Sequence, residues 1–242
     1  ADNSRVVVMG LCPSAMTTAD SHTTYSLPSR AGLTDVLVTP NGVTGSRKQP
    51  FGRALEFAHA AVRIVLKARR TDNTVGKLYV KNLKLTVPAR LVCGGLKWDT
   101  GTKQYLAAPA AADLVINHSG QILSTEDTQV AVFYLTPCSP ADLLTDLTGT
   151  GGTPGLTLTA DVAKDINFTT GARNASFPIL DGNLNFMDQF GSPATQLKGG
   201  ESYETTLEFD IDSFTLEGEE KEWEDGGKMT VPVVVPEPTP GP

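Results

Sequence analysis

Turn residues interrupt this chain so often that no long regular element fits between them, and the short runs they leave are extended in character. Arg5 to Leu11 is brief and β-branched, Thr23 to Leu27 is closed by Pro28, and Asp35 to Thr39 is closed by Pro40, Asn41 and Gly42. In Lys77 to Val87, the residues Leu83, Leu85 and Val87 alternate with Lys84 and Thr86, which places the apolar set on one face of a strand. Arg90 to Gly94 follows, then a turn at Trp98 to Gly101 and a further extended piece at Tyr105. Gln129 to Thr136 is almost continuously apolar and reads as a strand buried on both faces, stopped by Pro137 and Pro140. Gly149 to Gly155 reads as a loop tip, after which Leu156 to Thr159 resumes extended structure. The most regular segment is Ser202 to Asp212. Tyr203, Thr205, Leu207, Phe209 and Ile211 share one face, and Glu204, Thr206, Glu208, Asp210 and Asp212 are expected to point to solvent. A succession of short strands without helical segments between them predicts an all-β fold of antiparallel sandwich type and argues against βαβ units.

One segment is ambiguous. Residues 53–70 are rich in helix formers, and propensity alone predicts a helix. Period two also fits, with a phase change: Leu55, Phe57 and His59 share a face, then Val62, Ile64 and Leu66 take over while Arg63 and Lys67 point away. Such a slip is what a bulge or a short helical turn produces. The residues leave the two readings level.

Composition narrows the function classes. With 40% hydrophobic and 19% charged residues, 242 residues can build a sizeable core in one large β domain or two smaller ones. A net charge of −7 with dispersed cations argues against a nucleic-acid partner, because phosphate neutralisation supplies most of that affinity. The basic run Arg63, Lys67, Arg69 and Arg70 reads as the solvated face of a secondary element. No stretch reaches the ~20 apolar residues of a spanning helix. Cys12, Cys93 and Cys138 are far apart in sequence; one disulfide with a free thiol, or three small buried hydrophobes, both fit, and the second is preferred.

Catalytic patterns are scarce. His22, His59 and His118 have no metal-ligand spacing, and His59 sits in an apolar face where a hydrogen-bonded core histidine is the plainer reading. The Gly149–Gly155 segment has phosphate-loop glycines but no lysine or helix after them. Acidic pairs such as Asp161 with Asp165 and Asp210 with Asp212, and the Glu217–Asp225 run, read as solvated acids rather than a hydrolytic dyad, whose carboxylates sit about 5–10 Å apart in a cleft, or a calcium loop. Trp98, Tyr105 and Trp223 are candidates for stacking a sugar, although a sandwich core also needs large rings. Asn117, Asn167 and Asn174 each start an N-x-S/T triplet. No enzymatic activity, cofactor or metal is expected.

Several segments, in order, resemble the fimbrillin-like family of type V pilins of Bacteroides-type bacteria. LTDVLV at 33–38 is similar to that family's D-L-L-V strand, and LEFAHAAVRI at 55–64 to its l-x-F-x-H-A-L-A-x-V segment, with Phe57 and His59 at the named positions. VKNLKL at 80–85 is similar to the strand that follows. GESY at 200–203 is similar to G-x-x-Y, which places Tyr203, and EWEDG at 222–226 to W-x-x-G, which places Trp223. The resemblance favours strand at 53–70. It implies two tandem transthyretin-like antiparallel β-sandwich domains, expected at 1–72 and 73–228. The first is short for a full domain, so early strands are expected to be missing from it. It also implies export as a lipoprotein to the outer surface, with a lipid anchor lying outside this chain because Cys12 is too far inside to carry one.

Pilins of that family polymerise by strand exchange after a protease cuts beyond an arginine, for which Arg5 and Arg30 are the candidates. Partners would be other pilus subunits, of the same or a paralogous kind, and a host or bacterial surface ligand. In the tail at 229–242, Met229, Val231, Val233 and Val235 alternate like a strand that needs a groove, and Pro232 restricts it to an edge. The expected function is a structural or adhesive fimbrial subunit. The reading set against it is a monomeric module that binds a surface glycan or host ligand, which Trp98 and Trp223 would line.

Overall fold

A computed structural model gives the architecture and describes residues 5–14, 16–19, 22–40, 42–46, 55–70, 79–122, 125–144, 155–178, 192–209, 214–221 and 228–233. The first part of the chain forms the short strands β1 (Val6–Val8), β2 (Leu11–Cys12), β3 (Thr17–Ala19), β4 (Thr24–Ser26), β5 (Leu37–Val38), β6 (Val43–Gly45) and β7 (Ala58–His59). Longer strands follow: β8 (Val62–Arg70), β9 (Tyr79–Val87), β10 (Cys93–Asp99), β11 (Gln104–Pro109), β12 (Leu114–Ile122) and β13 (Thr128–Leu135). A 3-10 turn at Pro140–Leu143 leads towards β14 (Thr157–Ala163), β15 (Arg173–Pro178), β16 (Ser202–Phe209), β17 (Phe214–Lys221) and β18 (Lys228–Val233). The fold is all-β. Among the described residues no helix is long and apolar enough to cross a membrane.

Residues 55–70 are extended, and the phase change in their sequence is physical. β7 pairs with β5, the chain breaks at Ala60 and Ala61, and β8 then buries Val62, Ile64, Leu66 and Ala68 in a different sheet. Ala61 is itself fully buried, so the break is packed and not merely tolerated.

Two sheets form the larger sandwich, one ordered β12-β9-β14-β15 and the other β13-β8-β16-β17-β18. Leu83, Leu85 and Val87 of β9 point inward as their alternation predicts, with Lys84 exposed. They meet Ile64 and Leu66 of β8, Leu158 and Val162 of β14, Phe177 of β15, and Tyr203, Leu207 and Phe209 of β16. Removing this much apolar surface from water is the main source of stability. Phe177 and Phe209 bridge the sheets edge to face, with centroids 5.9 Å apart.

Two strands differ from their sequence reading. β13 lies at the edge of its sheet, so Gln129 is exposed and several of its neighbours are only half-buried. β16 is central, flanked by β17 antiparallel and by β8 parallel, the one parallel ladder among the described strands. Its outer face is therefore not plainly solvated. Ser202 and Thr206 are buried there, and Glu204 and Glu208 meet the cations of β8. Lys67 pairs with Glu204, and Arg69 donates through Nε (3.1 Å) and Nη2 (2.6 Å) to one Glu208 oxygen. Asp127 joins both cations, at 3.8 Å from Lys67 and 3.4 Å from Arg69. The basic run is thus the complement of the acidic face of β16, which specifies their register.

A second, smaller core gathers Leu27, Val36, Val38, Ala61, Cys93 and Leu96. It lies under a sheet ordered β11-β10-β4-β3 and a three-stranded sheet β2-β5-β7, with β1 paired to β6 beside them. Strand pairing crosses residue 72 in both directions, because β8 belongs to the larger sandwich and the β10–β11 hairpin returns to pair with β4. Gly32 ties the two parts together: its N–H donates to the Cys93 carbonyl and its carbonyl accepts from the Tyr134 N–H, both at 2.8 Å.

All three cysteines are free thiols; Cys93 and Cys138 are buried as preferred, whereas Cys12 is exposed on an edge strand. Burial pushes the Cys93 thiol up to about 11 and the Cys138 thiol up to about 12. We expect Ellman's reagent to titrate one thiol in the native protein below pH ~9 and three after denaturation; two or three native thiols would contradict this packing. Raised folded-state values also set a sign. The unfolded chain releases these protons first, so their contribution is intact below their ordinary value of 9.0 and stability falls as pH rises from there towards about 11.

Candidate functional site

The four-stranded sheet of the smaller core gathers three half-buried rings, Tyr25, Trp98 and Tyr105, with Tyr25 and Tyr105 packed against that core. The β10–β11 hairpin sets Trp98 opposite Tyr105, and β4 sets Tyr25 opposite Leu96. Trp98 and Tyr105 meet edge to face at 5.0 Å and 64°, and Tyr25 and Tyr105 at 5.6 Å and 76°. The indole, the two phenols and the His22 imidazole form one wall of an open cleft of about 600 Å³. Val7, Met9 and Leu11 also line it, and Thr23 and Lys103 contribute polar groups.

Local chemistry holds these groups. Tyr105 donates its O–H to the His22 carbonyl at 2.7 Å, and the Tyr25 hydroxyl lies 3.2 Å from His22 Nδ1. Burial, then the neighbouring Tyr25, push the Tyr105 phenol above its ordinary value, so it stays a donor. At the hairpin turn, Asp99 Oδ1 accepts from the Thr102 N–H at 2.6 Å and from its hydroxyl at 2.7 Å. Those bonds hold the Asp99 carboxyl below its ordinary value and close the turn that presents Lys103. His22 and Lys103, at the β3–β4 and β10–β11 turns, both have left-handed backbones, with φ of 67° and 57°. Each such non-glycine position costs about 1 kcal/mol and persists only where its surroundings over-determine it.

The sequence-derived candidates are dispersed over the molecule. Phe57 is 49% exposed, and the tip of its ring packs against Gly10, where an added Cβ would lie 2.5 Å from Cζ. His59 Nδ1 lies 2.6 Å from Asp35 Oδ2, a pair that joins β7 to the start of β5. The other Asp35 oxygen is buried without a hydrogen-bond partner. We expect His59→Ala to lower stability by about 1–3 kcal/mol, because it strands that carboxylate, and a change below 0.5 kcal/mol in urea unfolding would contradict this. Tyr203 is fully buried and donates to Glu201 Oε2 at 2.6 Å.

Arg5 and Arg30 are both exposed. Met229, Val231 and Val233 lie on β18, the last strand of the five-stranded sheet, paired antiparallel with β17 of the same chain. Trp223 and Val235 lie outside the described residues. Among the described residues no group of three or more His, Cys, Asp or Glu side chains could hold a metal ion. Sequence reasoning singled out Trp98 and Tyr105 but not Tyr25, His22, Lys103 or the wall at Val7, Met9 and Leu11. These become neighbours only because the hairpin after residue 92 pairs with a strand near residue 25, and no local pattern announces that choice.

No family model matches the chain, and no curated protein sequence matches it. Among solved structures it is similar to a protein from Bacteroides uniformis ATCC 8492 named for cell adhesion, at 12% identity and a TM-score of 0.48 over 91% of this chain and 74% of that one. It is similar to a protein of the same designation from Parabacteroides distasonis ATCC 8503, at 10% identity and 0.46 over 86% and 68%. A third such protein, from Bacteroides fragilis NCTC 9343, gives 10% and 0.37 over 81% and 59%.

Proposed function

We propose that this chain is a non-catalytic, adhesive subunit of a cell-surface fimbria, displayed on an outer membrane and joined to its neighbours by exchange of a terminal β-strand. The observation that supports this most directly is the position of β18. Among the described strands it is the edge strand of its sheet and pairs with β17 alone, and its register breaks between Glu217 and Gly218. Pro232, opposite Thr215, cannot donate to the ladder. A strand held on one side can leave its own sheet and make the same backbone bonds on the sheet of another copy, so exchange replaces contacts without losing them. The ordered fimbrillin-like motifs at 33–38, 55–64, 80–85 and 200–203 support the same reading.

The test is a chain ending at Gly227, expressed in the host beside the full chain. Folded monomers without polymer are the expected result. Polymer of normal length from the shortened chain contradicts strand exchange through β18.

A further inference from the structure

The cleft beside β4 and the β10–β11 hairpin is not absorbed by an assembly role, and we infer that it binds an acidic saccharide. This inference rests on the adhesive reading and names the ligand class through which adhesion occurs.

Four observations carry it. The first is apolar surface open to water: Val7, on the cleft wall beside three aromatic rings, is 58% exposed. A partner that presents C–H groups to those rings removes this surface from water. The second is scale, since about 600 Å³ falls within the range of sites for small ligands, about 300–1,000 Å³. The third is the mixture of chemistries. Rings of Trp98, Tyr105 and Tyr25 suit the apolar face of a pyranose, while the hydroxyl of Thr23, the imidazole of His22 and the ammonium of Lys103 suit its polar edge. A purely apolar peptide side chain would use only the first set.

The fourth is charge. On a chain of net charge −7, the described lining residues include a lysine and a histidine but no carboxylate. Among the described residues Lys103 has no ion-pair partner, and the Asp99–Thr102 turn fixes where its backbone stands. A cation among the residues of a ring-lined cleft selects a ligand that carries a carboxylate or sulfate on an otherwise stackable body. His22 and Lys103, both lining residues, are held in left-handed backbone conformations, and such pre-organisation lowers the entropy lost on binding.

The experiment exposes the purified full chain to an array of neutral and acidic saccharides, then titrates the best acidic oligosaccharide by calorimetry at 50 and 300 mM salt. We expect retention of acidic saccharides and affinity that falls with salt. Lys103→Met, a change at an exposed position, should weaken binding about tenfold and remove most of the salt dependence. Trp98→Ala should weaken it on the order of a hundredfold, with near-UV circular dichroism of both variants showing a folded sheet. Retention of neutral saccharides only, retention of none, or unchanged binding by Lys103→Met overturns the inference. A chain that fails on the array but still forms strand-exchanged polymer leaves the assembly reading intact, and a chain that binds acidic saccharide without polymerising keeps this site and removes the fimbria.

Discussion

Phe209→Ala is expected to destabilise the protein by about 3–5 kcal/mol, a large fraction of the roughly 5–15 kcal/mol that keeps a protein folded. Phe209 is fully buried at the end of β16, and its ring meets Phe177 of β15 edge to face. The two rings belong to opposite sheets, so removing one leaves a cavity between the layers and ends the contact that holds β15 over β16. The flanking backbone is committed on both sides, to Arg70 of β8 and Phe214 of β17, and cannot collapse into the void. Urea unfolding followed by far-UV circular dichroism reads the loss directly, and a change below 1 kcal/mol would mean that the sheets are not pinned here. Phe209→Leu fills most of the volume and should recover more than half of the deficit. A double-mutant cycle with Phe177→Ala should show coupling of about 0.5–1.5 kcal/mol.

Gly95→Ala is expected to cost about 3 kcal/mol and, unlike Phe209→Ala, to act on the smaller core and its cleft. Gly95 has φ of +149°, a conformation that side-chain-bearing residues rarely adopt. An added Cβ would lie 1.9 Å from the Tyr25 carbonyl oxygen, which is backbone and cannot swing aside. β10 bulges at this point, between Cys93 and Gly95, so that it can pair with β11 on one side and β4 on the other. Relief of the clash moves β4 away, which breaks the bond from the Leu27 N–H to the Gly94 carbonyl at 2.7 Å and draws Tyr25 from Tyr105. The measurement is a thermal melt with near-UV circular dichroism of the aromatic signal. A lowered midpoint with a weakened signal is expected; an unchanged melt would contradict the close approach of β4 to β10.

How much of this was legible in sequence varies element by element, for physical reasons. β9 was readable because one face is packed and the other wet, which writes period two directly into Leu83, Lys84, Leu85, Thr86 and Val87. The slip at Ala60 and Ala61 was readable as a phase change, but which sheets the two halves would join was not. The charges of β8 and β16 were both visible, yet their complementarity was not, since Lys67 and Glu204 are 137 positions apart in the chain and meet through a parallel ladder that no local pattern announces. β13 misled because an apolar edge strand covered on one side reads like a central one. The cleft was half visible: Trp98 and Tyr105 stand in one hairpin, but their neighbours arrive through non-local pairing, for which local sequence carries no signature.

Assembly by strand exchange is the central claim, and one measurement bears on it most directly. Envelope fractions from the native host are run on SDS gels, boiled and unboiled, and probed for this chain. An exchanged strand adds a full ladder of backbone bonds between subunits, so the unboiled sample should show a ladder of regularly spaced bands that collapses to a single band on boiling. A single band at monomer size under both conditions would contradict the fimbrial account.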